Sequence, residues 1–291
     1  MFNSVNSADL KQSLERIDTL PAMPVIAKRM LALRLDTDEG EAQLLKLIAQ
    51  DPQISARIIG LSNASLFGSP GIISSINDAA MRLGLAQIKS VAIGMATLSA
   101  FAQPTEGKLK SADLWTHSIT IASAIRAVAK RMPAQKRPVD EQIFLAGLLH
   151  DIGYNALNFI AKDLSDTLHT RLNTAPTTTS LLKIEHELLG MHHGEIGAKL
   201  GAHWGLPAEI IAVIRHHHAP ENADAEVGYL LVRLVNIVEK LRTNFAINEL
   251  TAAEITAQEW MDLGIAPNEA DSISEEIAIV ATRSMQLANA A

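Results

Sequence analysis

The sequence predicts an all-α protein, and three observations predict it. Apolar residues recur at helical spacing along most of the chain, no two alternating apolar runs are joined by a hairpin turn, and proline-marked breaks separate the periodic segments. Leu10, Leu14 and Ile17 begin a short amphipathic helix. Leu20-Pro21-Ala22-Met23-Pro24 is an extended break, because each proline biases its predecessor away from helix. Helix resumes from Val25 to Leu35, and Leu44, Leu45, Leu47 and Ile48 mark the next one. Asp51 is placed to cap a helix entered through Pro52 and continued by Ile54, Ile58, Ile59 and Leu61. Ser69-Pro70-Gly71 reads as a turn. Ser75 caps a helix running through Ala79, Ala80, Met81 and Leu83 to Gly84, and another runs from Ala86 to about Ala102.

Gln103-Pro104-Thr105-Glu106-Gly107 is the best boundary between subdomains. It divides the chain into 1–105, 106–245 and a helical extension over 246–291. After it, Leu114, His117, Ile121, Ile125 and Val128 trace one helical stripe. Residues 133–138 and 173–180 are polar loops, and Asp140 is placed to cap a helix that delivers His150. A helix is expected from Leu181 to about His203, a further one from Pro207 into the histidine triplet, and a long apolar one from Val227 to Leu241. Thr251-Ala252-Ala253-Glu254 has the form of a capping box, and Trp260, Leu263, Ile277 and Val280 continue the helical pattern.

Composition narrows the function classes. Hydrophobic residues make up 48% of the 291 and charged residues 20%, the balance of a folded protein with a sizeable core. There is no cysteine, so any metal must be held by nitrogen and oxygen ligands, and the composition suits a reducing cytoplasm. A net charge of −7 argues against general nucleic-acid binding. The one local basic cluster, Lys108, Lys110, Arg126, Lys130, Arg131, Lys136 and Arg137, reads as a solvated helix face and helix end. No secretory signal or membrane span is expected, and no P-loop glycine pattern occurs.

His150-Asp151 ends the apolar run Phe144-Leu145-Ala146-Gly147-Leu148-Leu149. His117 lies upstream, and His193 and His216-His217-His218 lie downstream. His193 shares a helical face with Leu189, Ile196 and Leu200, whereas His192 aligns with Glu195 and Lys199. His217 and His218 follow apolar residues, while His216 aligns with Glu209 and is expected to meet solvent. Burying several unpaired imidazoles is costly, and a shared ion would give them partners. Imidazole and carboxylate together suit Fe, Mn, Zn or Ni, and a helical core can gather such groups. Glu185 and Glu187 are placed as ordinary helix surface or structural hydrogen bonding, or else as a base or supporting acceptor near His193.

The motifs in this order resemble the HDOD domain, the HD-related output domain of bacterial signalling proteins, related to HD and HD-GYP phosphohydrolases. The resemblance spans roughly Leu20 to Leu241. It runs through Leu20-Pro21-Ala22-Met23-Pro24, Ile48-Ala49-Gln50-Asp51-Pro52, Leu61-Ser62-Asn63-Ala64-Ser65, Leu114-Trp115-Thr116-His117-Ser118, the string ending His150-Asp151-Ile152-Gly153, Trp204-Gly205-Leu206-Pro207 and His217-His218-Ala219-Pro220. It implies an N-terminal helical subdomain packed on an HD-like one. It also implies that His117, His150 and Asp151 ligate one metal, that His193, His217 and His218 line a second site, and that Asp151 bridges the two. Asn236 falls where HD enzymes carry a late aspartate, Tyr154 stands where HD-GYP enzymes have lysine, and Ala219-Pro220 follows the histidines in place of a Gly-Tyr-Pro motif.

These readings lead to a regulatory or ligand-sensing signalling module with a metal pocket of one or two divalent transition-metal ions. Its partner would be a small phosphorylated ligand or a signalling protein. The alternative is a metal-dependent phosphohydrolase of nucleotides or phosphate esters, with Asp151 catalytic. A purely structural helical scaffold is the third reading. The sequence sets neither the substrate nor the oligomeric state.

Overall fold

The structure, a computed structural model, describes residues 10, 12, 20–64, 72–101, 107–176, 179–222, 227–241 and 254–288. The expected turn at Ser69-Pro70-Gly71, most of the boundary at 103–107, the start of the Thr251 capping box and the stripe residues Leu14 and Ile17 lie outside the described residues. Every regular element among the described residues is a helix.

Five helices build the first half: α1 (Val25–Leu31), α2 (Asp38–Ala49), α3 (Pro52–Ser62), α4 (Ile76–Leu83) and α5 (Leu85–Ser99). Their starts are written in side chains. The Thr37 hydroxyl accepts from Gly40 N–H, the Asp51 carboxylate from Gln53 and Ile54 N–H, and the Ser75 hydroxyl from Asp78 N–H. Helix α1 ends four residues before the expected Leu35, and the freed Leu33 carbonyl accepts from Lys89 Nζ at 2.6 Å. Helix α5 is buried all round from Gln87 to Thr97. It is therefore the post against which α1, α3 and α4 lay their apolar faces.

The second half holds α6 (Ser111–Arg131), α7 (Asp140–Leu149), α8 (Ile152–Ile160), α9 (Lys162–Thr174), α10 (Leu181–Leu189), α11 (His193–Trp204), α12 (Ala208–His216) and α13 (Tyr229–Leu241). Helix α7 is the hub. It is buried from Ile143 onward and packs on α5 of the first half as well as on α6, α12 and α13. Its N-cap is Val139 rather than the expected Asp140, which stands as the first helical residue and faces the positive helix end. Two polar ties fix α5 to the start of α7. Lys89, 2% exposed on its side chain, meets Glu141 at 2.7 Å, and Ser90 Oγ donates to the Glu141 carbonyl at 3.0 Å.

The tail forms α14 (Ala257–Asp262), a 3₁₀ turn (Pro267–Glu269) and α15 (Ala270–Ala288), which lies along α6. A capping box of Thr256 and Glu259 opens α14. Trp260, Leu263, Ile273 and Ile277 are buried there, each such side chain contributing about 1.5–3 kcal/mol of transfer free energy. Arg131, from the basic cluster, pairs with Glu276 at 3.0 Å on α15. The apolar stretch Asp140–Ile160 is long enough by composition to cross a membrane, yet 83% of its apolar 18-residue window is buried inside this fold.

Candidate metal centre

The site forms where α7 stops. His150 closes that helix with αR dihedrals, and Asp151 follows at φ −101°, ψ 16°, redirecting the chain into α8. Asp151 occupies the N-cap position of α8 but its side chain caps nothing, so its carboxylate is turned to the interior. This corner can exist because Gly153 lies against α11. A Cβ on Gly153 would sit 1.9 Å from the His193 carbonyl oxygen, and one on Gly194 would sit 2.6 Å from the Ile214 carbonyl oxygen. The glycines let α8, α11 and α12 approach backbone to backbone, which brings His193 and His217 to Asp151.

Two groups of side chains meet across that carboxylate. On one side, Asp151 Oδ2 lies 3.0 Å from His117 Nε2 and 3.2 Å from His150 Nε2. Glu239 Oε1 completes this side at 3.3 Å from His150 Nε2 and 3.6 Å from His117 Nε2. On the other side, Asp151 Oδ1 lies 3.2 Å from His193 Nε2 and 3.5 Å from His217 Nε2, and His218 joins them. Each group offers donor atoms within 4.8 Å of one another, and either could hold a metal ion. All but His218 are buried.

The outer nitrogens are tied down. His150 Nδ1–H donates to the Gly147 carbonyl at 2.8 Å, and His217 Nδ1–H to the Val213 carbonyl at 3.0 Å. A carbonyl can only accept, so these contacts place the hydrogen on Nδ1 and turn Nε2 inward as a ligand atom. His193 Nδ1–H donates to Glu185 at 2.9 Å, and Glu185 also accepts from His193 N–H at 3.0 Å and from Tyr154 O–H at 2.7 Å. The Tyr154 ring stacks on His193 with centroids 4.3 Å apart. An imidazole whose far nitrogen is held by a carboxylate or carbonyl is the arrangement that orients metal-binding histidines, so the donor set fits a transition metal of the Fe, Mn, Zn or Ni kind.

The electrostatics are those of a cation pocket. Burial works against the charged form of His150, but the Asp151 and Glu239 carboxylates outweigh it and push its pKa up to about 10. His193 is likewise raised well above the ordinary value, against its burial, by Glu185 and Asp151. Burial would raise Asp151, yet the surrounding imidazoles hold it well below the usual carboxylate range. Burial and the neighbouring imidazoles push His217 and His218 down. A proton on His150 or His193 stands where positive charge is favoured.

Two expectations change. The helix expected from Leu181 to His203 is broken, because Gly190 takes φ 73° and ends α10, and His192 N–H donates to Glu195 to start α11. His216, expected in solvent, is 6% exposed. It borders a cavity together with His192, since the helix ends at His216 and the chain turns over it. Asn236 donates its Nδ2 hydrogen to the His217 carbonyl at 2.7 Å, tying α12 to α13. A carboxylate on the same helix, Glu239, stands one turn further on beside His150 and His117, and sequence reasoning missed it. Its signal was present: Val232, Val235, Asn236 and Glu239 share one buried helical face, where a glutamate is otherwise out of place. Glu185, in contrast, is fully buried as the acceptor behind His193, while Glu187 pairs with Arg171 at the surface.

Comparison with known proteins gives a family and a fold. Residues 20–220 match the model of the HDOD domain. An uncharacterized protein of Treponema pallidum (strain Nichols) is 25% identical over 223 residues, which cover 75% of this chain and 41% of that protein. The chain therefore spans less than half the length of that curated relative. The crystal structure of a Marinobacter aquaeolei VT8 protein, provisionally named for signal transduction, superposes with a TM-score of 0.79 at 25% identity, covering 99% of this chain and 67% of that one. A Shewanella amazonensis SB2B protein, provisionally named a phosphohydrolase, shares the fold with a TM-score of 0.68 at 22% identity, covering 95% of this chain and 97% of that one.

Proposed function

The chain belongs to the HDOD domain family, and on that premise we propose that it is a signal-transduction module built around a two-ion metal centre in its HD-like half. His117, His150 and Glu239 would hold one divalent transition-metal ion, His193, His217 and His218 the other, and Asp151 would reach both through its two oxygens. One observation carries this reading: the Nε2 atoms of His117, His150, His193 and His217 all lie within 3.5 Å of an Asp151 oxygen. The remaining residues act as the frame. Glu185 and Tyr154 orient His193, the Gly147 and Val213 carbonyls orient His150 and His217, and Asn236 fixes the end of α12. The absence of cysteine suits a module working in the cytoplasm.

Burial of the ligand groups favours a regulatory centre over an open active site. A second reading, a phosphohydrolase of nucleotides or phosphate esters, is favoured by Glu239, since it supplies the late carboxylate that Asn236 does not. Bound ions would supply Lewis-acid stabilisation of charge building on a phosphoryl group. Elemental analysis of untagged protein tests the centre, with about two equivalents expected and no retained metal refuting it. Turnover of phosphodiesters and nucleotides with added Mn, abolished in Asp151→Ala, selects the enzyme; metal retained without turnover selects the module.

A further inference from the structure

Beside the metal centre lies a cavity of about 480 Å³, lined by Met191, His192, Glu195, Lys199, Arg215 and His216 among others, and by none of the seven metal-centre side chains. We infer that this cavity binds a small organic phosphate. Lys199 on α11 and Arg215 on α12 face it from two helices, are both exposed, and make no salt bridge among the described residues. Two cations without a carboxylate partner, in a chain of net charge −7, form a local anion site against the global field. Glu195, the one carboxylate in the lining among the described residues, already accepts the His192 N–H at 3.1 Å. Arginine gives a planar fork for phosphate oxygens and lysine a movable point charge. Met191, Gly190 and Ala219 add an apolar wall, and Asn222 adds an amide at the rim. The volume exceeds what a lone phosphate fills and falls in the range of small-ligand pockets.

The cavity shares its walls with the metal centre through the chain itself. His192 and His216 line it, and their immediate neighbours His193 and His217 are proposed ligands. A ligand seated there would press on the starts of α11 and the end of α12, which gives the proposed signalling module its input and in that sense rests on that reading.

Calorimetric titration of the full chain with inorganic phosphate, adenosine 5′-monophosphate and adenosine tests this, on metal-loaded and on chelator-treated protein. Adenosine 5′-monophosphate binds both forms more tightly than inorganic phosphate does, and adenosine does not bind. Lys199→Met and Arg215→Met each weaken binding roughly tenfold, and the pair about a hundredfold. Both residues are exposed, so the variants keep their fold, checked by circular dichroism. No saturable binding of either phosphate probe at millimolar concentration overturns the inference, as does binding unchanged in the double variant. Binding that disappears on chelation also overturns it, placing the anion on the ions and leaving the metal centre standing. Phosphate binding kept by a protein that retains no metal sustains the pocket while refuting the centre.

Discussion

Glu239→Gln is the sharpest perturbation of the proposed centre, because it removes one charge at nearly constant volume. Glu239 Oε1 lies 3.3 Å from His150 Nε2 and 3.6 Å from His117 Nε2, and the donor atoms of this trio lie within 4.8 Å of one another. Two unit charges about 4 Å apart are worth about 4 kcal/mol at an effective dielectric constant near 20. The glutamine amide oxygen remains a weak ligand and offsets part of this. We expect a loss of about 2–3 kcal/mol, close to a hundredfold rise in Kd, for one ion of the two. Competition titration against a chromophoric chelator, with elemental analysis, reads both affinity and stoichiometry, and the variant should hold one tightly bound ion where the parent holds two. The companion Asn236→Asp sets a carboxylate against the His217 carbonyl, which now accepts from Asn236 Nδ2 at 2.7 Å. It should cost about 1–3 kcal/mol of folding stability without tightening metal. Unchanged affinity and stoichiometry in Glu239→Gln, or a metal gain in Asn236→Asp, would return the ligand role to Asn236 and refute the placement of Glu239.

Metal uptake should release protons. His150, with its pKa pushed up to about 10, carries an extra proton at neutral pH without metal, His193 is shifted in the same direction, and such a proton must leave the ligand nitrogen before it coordinates. Affinity therefore falls as pH falls, and calorimetry in buffers of different ionisation enthalpy should show the release; a pH-independent affinity with no proton release contradicts it. The same raised values stabilise the metal-free fold below the ordinary histidine pKa, and that share is lost as pH rises through about 10 for His150. Gly153→Ala should destabilise by about 3 kcal/mol in urea unfolding, since its Cβ would meet the His193 carbonyl at 1.9 Å; a cost within experimental error would deny the close crossing. Tyr154→Phe keeps the ring on His193 but removes the 2.7 Å bond to Glu185, and should weaken one ion about tenfold while the other is unchanged. Lys89→Met severs the 2.7 Å pair with Glu141 and should cost about 2 kcal/mol, the part-exposed glutamate finding water; adding Glu141→Gln should recover part of it, and a fully additive loss would show no coupling.

Much of the fold was legible because local chemistry set it. Asp51 and Ser75 cap the helices expected of them, since a short oxygen-bearing side chain before an apolar run has one favourable use. His117 and His193 are buried, as their helical faces implied, because the α-helical period is fixed by the backbone. The misplaced cap at Asp140 and the unbroken helix through Gly190 are of another kind. An acidic residue serves equally at the cap or in the first turn, and a glycine interior to a periodic stretch either continues a helix or ends it.

The sequence by itself determined that this chain is helical, that it carries the His-Asp corner of the HDOD family, and that its histidines are turned inward in number. Only the tertiary structure showed that a carboxylate of α13, Glu239, stands among them. Asn236 and Glu239 lie on one buried face of one helix, a turn apart, and periodicity cannot separate them. The choice is made by how far α13 slides along α6 and α7, which depends on packing between segments distant in the chain. His216 was decided in the same way: it closes the last turn of α12, and its burial follows the path of the chain beyond the helix.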